Sequence, residues 1–176
     1  SEQYAEEILT PEMGMGLEPL LNERKERLHG VLNGLDYNEW NPVTDPWVPH
    51  NFDIRTLDRR AANKTALQQQ ARLPARSGIP LIGMVSRLDQ VKGMDLLEPT
   101  LTWLLTEHDA QFVVLGTGDP RYHEMFEAVQ ERYPDRARAF LKFDAALARR
   151  IYASADMFLM PSVVEPCGLG QMIAMR

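Results

Sequence analysis

Cysteine and aromatic side chains are scarce in this sequence, with one cysteine (Cys167) and 8% aromatic residues among 176. A single thiol excludes both an internal disulfide framework and a thiolate zinc cluster. No apolar run approaches the ~20 residues that a membrane span requires, so no membrane partner is expected. The acidic first residues (Glu2, Glu6, Glu7) lack the basic-then-apolar order of a secretory signal. Positive charge is also in short supply. Nineteen Lys and Arg face 25 Asp and Glu, for a net charge of −6, which argues against nucleic acid as a partner. The histidines at 29, 50, 108 and 123 show no metal-ligand spacing, so neither a metal nor another cofactor is expected. Neither G-x-G-x-x-G nor G-x-x-x-x-G-K-[ST] occurs, which removes the plain dinucleotide fingerprint and the P-loop.

What is present is a core's worth of apolar residues, 44% of the chain, enough for one domain or for one domain and part of another. The chain opens on Ser1 and closes on a helix-prone stretch, Gly168 to Arg176, without a stop signal. A helix of about two turns is rarely stable by itself, so a fragment of a longer protein is expected.

Residues 1–30 read as mostly helical, with Leu17, Leu20, Leu21, Arg24 and Leu28 at helical spacing. After the turn signal Asn33-Gly34-Leu35-Asp36, an irregular stretch to about residue 58 holds Pro42, Pro46 and Pro49 with Trp40 and Trp47, and reads as a packed loop. Residues 59–72 read as a helix. Apolar runs at 79–85, 112–115, 140–142 and 157–160 read as strands, and helical patterns at 94–105, 120–132, 144–154 and after Pro161 follow them. Pro99 is expected to kink its helix or delay its start. Strands alternating with helices imply an α/β fold, a parallel sheet with helices on both faces, whose ligands bind beyond the carboxyl ends of the strands.

Three loops follow such strands. Ser86 to Gly93 carries Arg87 and Lys92 at the opening of a helix. Arg87 can make paired hydrogen bonds to phosphate oxygens and Lys92 adds a compact charge, so a diphosphate suits them, although two solvated surface cations would look the same. Gly116-Thr117-Gly118-Asp119 is either a tight turn or a close approach to a ligand. In Pro161 to Gln171, the Glu165 carboxylate suits sugar hydroxyls, and the backbone N–H groups near Gly168 and Gly170 suit hydroxyl or phosphate oxygens. A carboxylate that merely favours a helix dipole is the alternative for Glu165. Cys167 reads as a small apolar residue, since no neighbouring histidine would activate it.

The residues carry a resemblance in family order over essentially the whole chain. It runs through Tyr4-Ala5-Glu6-Glu7-Ile8, Gly30 to Pro42 (with NGLDYNEWNP), Asn63-Lys64, Gly83 to Leu88, Lys92-Gly93, Val114 to Pro120, Arg150-Ile151-Tyr152 and Glu165-Pro166-Cys167-Gly168-Leu169. On these the chain resembles the bacterial glycogen synthases and plant starch synthases, which are ADP-glucose α-1,4-glucan glucosyltransferases. The resemblance implies a GT-B fold, with two Rossmann-like domains facing each other across a cleft. Residues 1–34 would be the tail of the N-terminal, acceptor-side domain, 35–75 the interdomain crossover loop and helix, and 76–176 a truncated C-terminal Rossmann-like domain that binds the nucleotide sugar. It also implies retaining transfer of glucose from ADP-glucose to the non-reducing end of an α-1,4-glucan. The compartment would be cytoplasmic for a bacterial parent and the plastid for a plant one.

By the same resemblance, Arg87 and Lys92 contact the diphosphate, Tyr152 packs on the adenine and Glu165 binds glucose hydroxyls. Cys167, Gly168 and Leu169 would contribute backbone N–H groups, Gly116 and Gly118 would line the substrate site, and Asn33 would lie near the sugar. ADP-glucose would be a substrate, with no separate cofactor. Where the family pattern commonly reads PSRFEPCGLTQ, this chain has Val163, Val164 and Gly170 for Arg, Phe and Thr. Arg149 and Ala145 stand for a common His and Glu. Two other readings stay open: a glycosyltransferase of the same fold using a different nucleotide sugar, and a non-catalytic fragment that binds nucleotide or glucan.

Overall fold

A computed structural model describes residues 1–176. Its centre is a four-stranded parallel sheet of β1 (Leu81–Val85), β2 (Gln111–Leu115), β3 (Ala137–Phe140) and β4 (Met157–Phe158), in the order β3-β2-β1-β4. Seven α-helices surround or precede it: α1 (Glu2–Glu7), α2 (Glu18–Glu23), α3 (Arg60–Gln70), α4 (Met94–Glu107), α5 (Pro120–Arg132), α6 (Ala145–Ser154) and α7 (Leu169–Met175).

The two-residue side-chain period of a strand explains the layering. Ile82, Met84, Phe112 and Val114 face one way and meet Leu97, Leu101 and Leu105 of α4 and Phe126 and Val129 of α5. Leu81, Val113 and Leu115 face the other way and meet Leu67 and Ala71 at α3 and Leu147 and Ile151 of α6. Both faces are thus buried, which is why β1 and Phe112 to Leu115 of β2 are continuous apolar runs. The order places β2 and β3 on one side of β1 and β4 on the other, so the connection reverses direction between β1 and β4. That gap, beyond the strand carboxyl ends, is where such sheets hold ligands.

Several expectations need correction. The third strand is Ala137–Phe140 rather than 140–142. It alternates small apolar residues with Arg138, whose Nε donates to the Ala71 carbonyl at 2.6 Å, so no apolar run marks it. β4 stops at Phe158 instead of 160, after which Leu159 still donates to Gly83. The N-terminal stretch is only two helices of six residues and a 3-10 turn (Lys25–Arg27). Residues 8–17 form turns in which Met15 and Gly16 both have positive φ. α4 begins at Met94 and runs through Pro99, which neither delays nor ends it. Pro99 lies on the exposed side, where water can satisfy the carbonyl that its missing N–H leaves without an intrahelical donor.

The stretch 36–56 is a packed loop, as its prolines and aromatics suggest. Arg149 of α6 reaches back to it with three bonds: Nη1 to the Glu39 carbonyl (2.6 Å) and to Asp45 Oδ2 (2.8 Å), and Nη2 to Glu39 Oε1 (2.7 Å). Its guanidinium also lies 4.3 Å from the Trp40 ring centroid. Asn63 of α3 pairs with both the amide and the carbonyl of His50. Buried Lys64 gives its ammonium to the carbonyls of Ser77 and Ile79 and to Asp156 Oδ2, the last at 2.6 Å. The Asn63-Lys64 motif therefore ties the 36–56 loop and α3 to the sheet.

Candidate functional site

The loop after β1 is held by its neighbours on both sides. Leu88, fully buried, donates to the Thr117 carbonyl (3.0 Å) and accepts from the Asp119 amide (2.9 Å), which extends the pairing of β1 with β2 past the strand ends. Gly116 and Gly118 make this approach possible, because a Cβ at either would strike the backbone of Ser86 or Leu88. Their own N–H groups are engaged, Gly116 with the Phe140 carbonyl and Gly118 with His123 Nε2 at 3.1 Å. The segment is therefore not a tight turn but an extended continuation of β2, and what comes close to its glycines is the backbone of the loop after β1.

On the other side the loop meets the segment after β4. The Val91 carbonyl accepts from the amides of Val163 (3.0 Å) and Val164 (3.2 Å). Gly93, in the left-handed conformation at φ 74°, lies so close to the Pro161 carbonyl that no side chain would fit there. The valines that stand where the family pattern has Arg and Phe thus contribute backbone donors at this seam.

Across it, Lys92 Nζ sits 2.6 Å from Glu165 Oε2 and 3.4 Å from the Val164 carbonyl, with its side chain only 16% exposed. Glu165 Oε1 accepts from the Gly168 amide at 3.3 Å. Burial pushes the Glu165 carboxyl up, but the hydrogen bond and charge of Lys92, with help from Ser162 and the Gly168 amide, outweigh it and hold the group below its usual range. Arg87, by contrast, has a side chain 73% exposed, with Nη1 3.3 Å from Asp89 Oδ2. The two cations read from the sequence are therefore different in kind: Lys92 is largely enclosed and paired with Glu165, while Arg87 is exposed beside Asp89.

The remaining sequence candidates fall as follows. The Gly168 N–H is occupied by Glu165, whereas the amides of Cys167 and Leu169 have no partner within the chain. Cys167 is a half-buried free thiol 4.0 Å from the Val31 carbonyl. A cavity of about 650 Å³ lies between Gly30–Leu32 and Glu165–Gly168. Asn33, just beyond that stretch, is exposed and makes no hydrogen bond to the site. A second cavity, of about 270 Å³, opens beyond β1, β2 and β3 beside Arg87, Gly116 and Phe143. No three His, Cys, Asp or Glu side chains gather in a way that could hold a metal ion.

Tyr152 lies on α6 with its ring tilted against Phe158 at 4.7 Å and edge-on to Trp40 at 5.8 Å. Burial, followed by the negative charge of Glu165, pushes its phenol from 10 up to about 12. The unfolded chain releases this proton first, near 10. The contribution to stability is therefore complete below about 10 and is lost as pH rises through about 12. In an alkaline absorbance titration, Tyr152→Phe is expected to remove one late-ionising phenol; an unchanged late step would contradict this placement.

The sequence reading leaves out one residue that organises this loop: Asp89 Oδ2 faces the Arg87 guanidinium, and Oδ1 accepts from the Lys92 backbone amide at 3.1 Å, capping the 3-10 turn Gln90–Lys92. The signal was available in Asp89-Gln90-Val91-Lys92-Gly93, a capping residue three positions before the amide it takes, with glycine at the exit.

Residues 79–176 match the family described as glycosyl transferases group 1. Over all 176 residues the chain is 51% identical to the glycogen synthase of Kosmotoga olearia and 49% identical to that of Clostridium perfringens. It spans 37% and 36% of those proteins, little more than a third of their length. It is also similar to the catalytic domain of starch synthase IV from Arabidopsis thaliana bound to ADP and acarbose. There the TM-score is 0.91 at 41% identity, over 99% of this chain and 36% of that one. The parallel sheet is that of a GT-B glycosyltransferase's C-terminal domain. No helix is long and apolar enough to cross a membrane.

Proposed function

Since this chain belongs to the group 1 glycosyl transferases, we propose that it carries the nucleotide-sugar side of a retaining glucosyltransferase. In this reading the whole protein moves glucose from ADP-glucose to the non-reducing end of an α-1,4-glucan. Residues 76–176 form the donor-binding domain, 35–75 the crossover, and 1–34 the tail of the acceptor-side domain. The observation that carries it is the placement of Lys92, Arg87 and Glu165 at the point where the strand order reverses, in a chain about half identical to glycogen synthases throughout. The ADP and acarbose bound by the Arabidopsis relative favour an adenine nucleotide and a glucan.

The chemistry follows from the charges. Breaking the anomeric C–O bond leaves negative charge on the departing diphosphate and positive charge on the sugar. Lys92, held by Glu165, and Arg87, exposed beside Asp89, meet the first. Glu165 faces the cavity in which glucose would lie, its carboxylate kept ionised by Lys92 and available to sugar hydroxyls. No carboxylate is paired with Glu165, so a two-carboxylate displacement has no second member in this chain. The departing phosphate takes the proton of the incoming hydroxyl on the same face of the sugar.

The test is a chimera in which these 176 residues replace the matching stretch of the Kosmotoga olearia glycogen synthase. It is expected to move radiolabelled glucose from ADP-glucose onto glycogen, with ADP competing better than UDP or GDP. A folded chimera that binds ADP but transfers nothing would support a non-catalytic segment instead, and preference for UDP would support a different donor.

A further inference from the structure

The Asp89 carboxylate meets the Arg87 guanidinium through Oδ2 and the backbone amide of Lys92 through Oδ1, so its two oxygens have different tasks. Oδ1 accepts from the Lys92 amide, and the Asp89 carbonyl accepts from the same amide at 3.2 Å. The turn Gln90–Lys92 is thereby closed on itself and handed to Gly93, whose left-handed conformation starts α4. Asp89 stands in extended backbone (φ −140°, ψ 167°) directly after Leu88, which is buried and bonded to the β2 loop. The chain from Leu88 to Gly93 thus has fixed ends, and the Asp89 side chain sets the conformation between them. That conformation decides where the Lys92 ammonium projects, across the seam toward Glu165.

We propose that Asp89 is the positioning residue for Lys92: its carboxylate caps the turn that aims the ammonium, and it holds Arg87 beside the same turn. The inference rests on the reading of Lys92 and Arg87 as the diphosphate cations. Asp89 does not touch the substrate. As an anion it opposes a phosphate ligand, so a purely electrostatic role and a positioning role make opposite forecasts. If it only repels, removing its charge tightens anion binding whatever replaces it. If it positions Lys92, a replacement that retains a capping oxygen is tolerated and one that lacks it is not.

The probe is inorganic pyrophosphate, titrated calorimetrically into the folded chimera that carries this chain, below its melting temperature. Asp89→Asn, which keeps a side-chain oxygen for the Lys92 amide, is expected to bind within about threefold of the unsubstituted chimera or more tightly. Asp89→Ala, which loses the cap, is expected to bind about five- to tenfold more weakly. Equal affinities for the two variants, equal losses in both, or no binding by the unsubstituted chimera overturn the proposal. In the chimera, Asp89→Ala should lower kcat more than it raises the KM for ADP-glucose, with Asp89→Asn restoring most of it. An unchanged kcat in the alanine variant also overturns the proposal, because a residue that only stabilises the fold moves the melting temperature and leaves turnover alone. Should the unsubstituted chimera transfer no glucose while the pyrophosphate results hold, the glucosyltransferase reading fails and the positioning role stands.

Discussion

Lys92→Ala in the chimera is expected to lower kcat by a factor of ~10²–10³, the usual loss for one preorganised electrostatic contact to a developing anion. The apparent KM for ADP-glucose should change by a smaller factor. The ammonium is buried, aimed and already paired with Glu165, so it needs no reorganisation when charge grows on the leaving diphosphate. The variant also strands Glu165, whose carboxylate then faces the phosphates without a counter-ion. Lys92→Ala combined with Glu165→Gln would separate that repulsion from the loss of the cation: the pair should recover donor binding without recovering turnover. Lys92→Arg should rescue only in part, since a planar fork cannot occupy the space of a point charge between Glu165 and the Val164 carbonyl. A kcat within about twofold of the parent would remove Lys92 from the chemistry, because so small a change is far below one tenfold step in the barrier.

Leu81 to Val85 and Phe112 to Leu115 are legible as strand because both faces of the sheet are covered, and a strand buried on two sides reads as an apolar run; the buried Gln111 that opens β2 lies outside that run. Ala137 to Phe140 was not. It is an edge strand, and Arg138 within it finds its partner at Ala71, a contact 67 positions distant that no local pattern announces. The spacing of Leu17, Leu20 and Leu21 suggests more helix at the N-terminus than forms, because the backbone at Met15 and Gly16 turns left-handed and ends any helix there.

At the candidate site, residue type and loop position marked Arg87, Lys92 and Glu165, but not their inequality. Only the fold reveals that Lys92 is enclosed with Glu165 while Arg87 stands in solvent. Gly116 and Gly118 were legible as glycines that permit close approach. What approaches is the neighbouring loop's backbone, which sequence spacing cannot distinguish from a ligand. The partners of Arg149 lie 104 and 110 positions away, so nothing near it in sequence shows that it holds the 36–56 loop.

That clasp underlies the second large expected effect. Asp45 is buried, and Arg149 beside it is 13% exposed, so their pair has little water to fall back on. Arg149→Ala leaves the Asp45 carboxylate with only the Trp47 amide at 2.8 Å, strands Glu39 and uncovers the face of Trp40. Breaking a buried pair from one side costs about 3–5 kcal/mol, because the remaining charge is left without compensation. In a chain of this length that is a fall in melting temperature on the order of 6–20 °C. Arg149→Lys keeps the charge but cannot serve Asp45 and Glu39 together, so it should recover only part of the loss. The decisive variant is Asp45→Asn placed on Arg149→Ala. If the cost is an unpaired buried charge, neutralising Asp45 should restore about half of the lost stability even though it forms no new contact with residue 149. Additive losses in the double variant would instead mean that Arg149 acts by packing over Trp40. A single Arg149→Ala variant that melts within about 2 °C of the parent, less than 1 kcal/mol, would show that the 36–56 loop is held by other means, with Asn63 and His50 the first candidates.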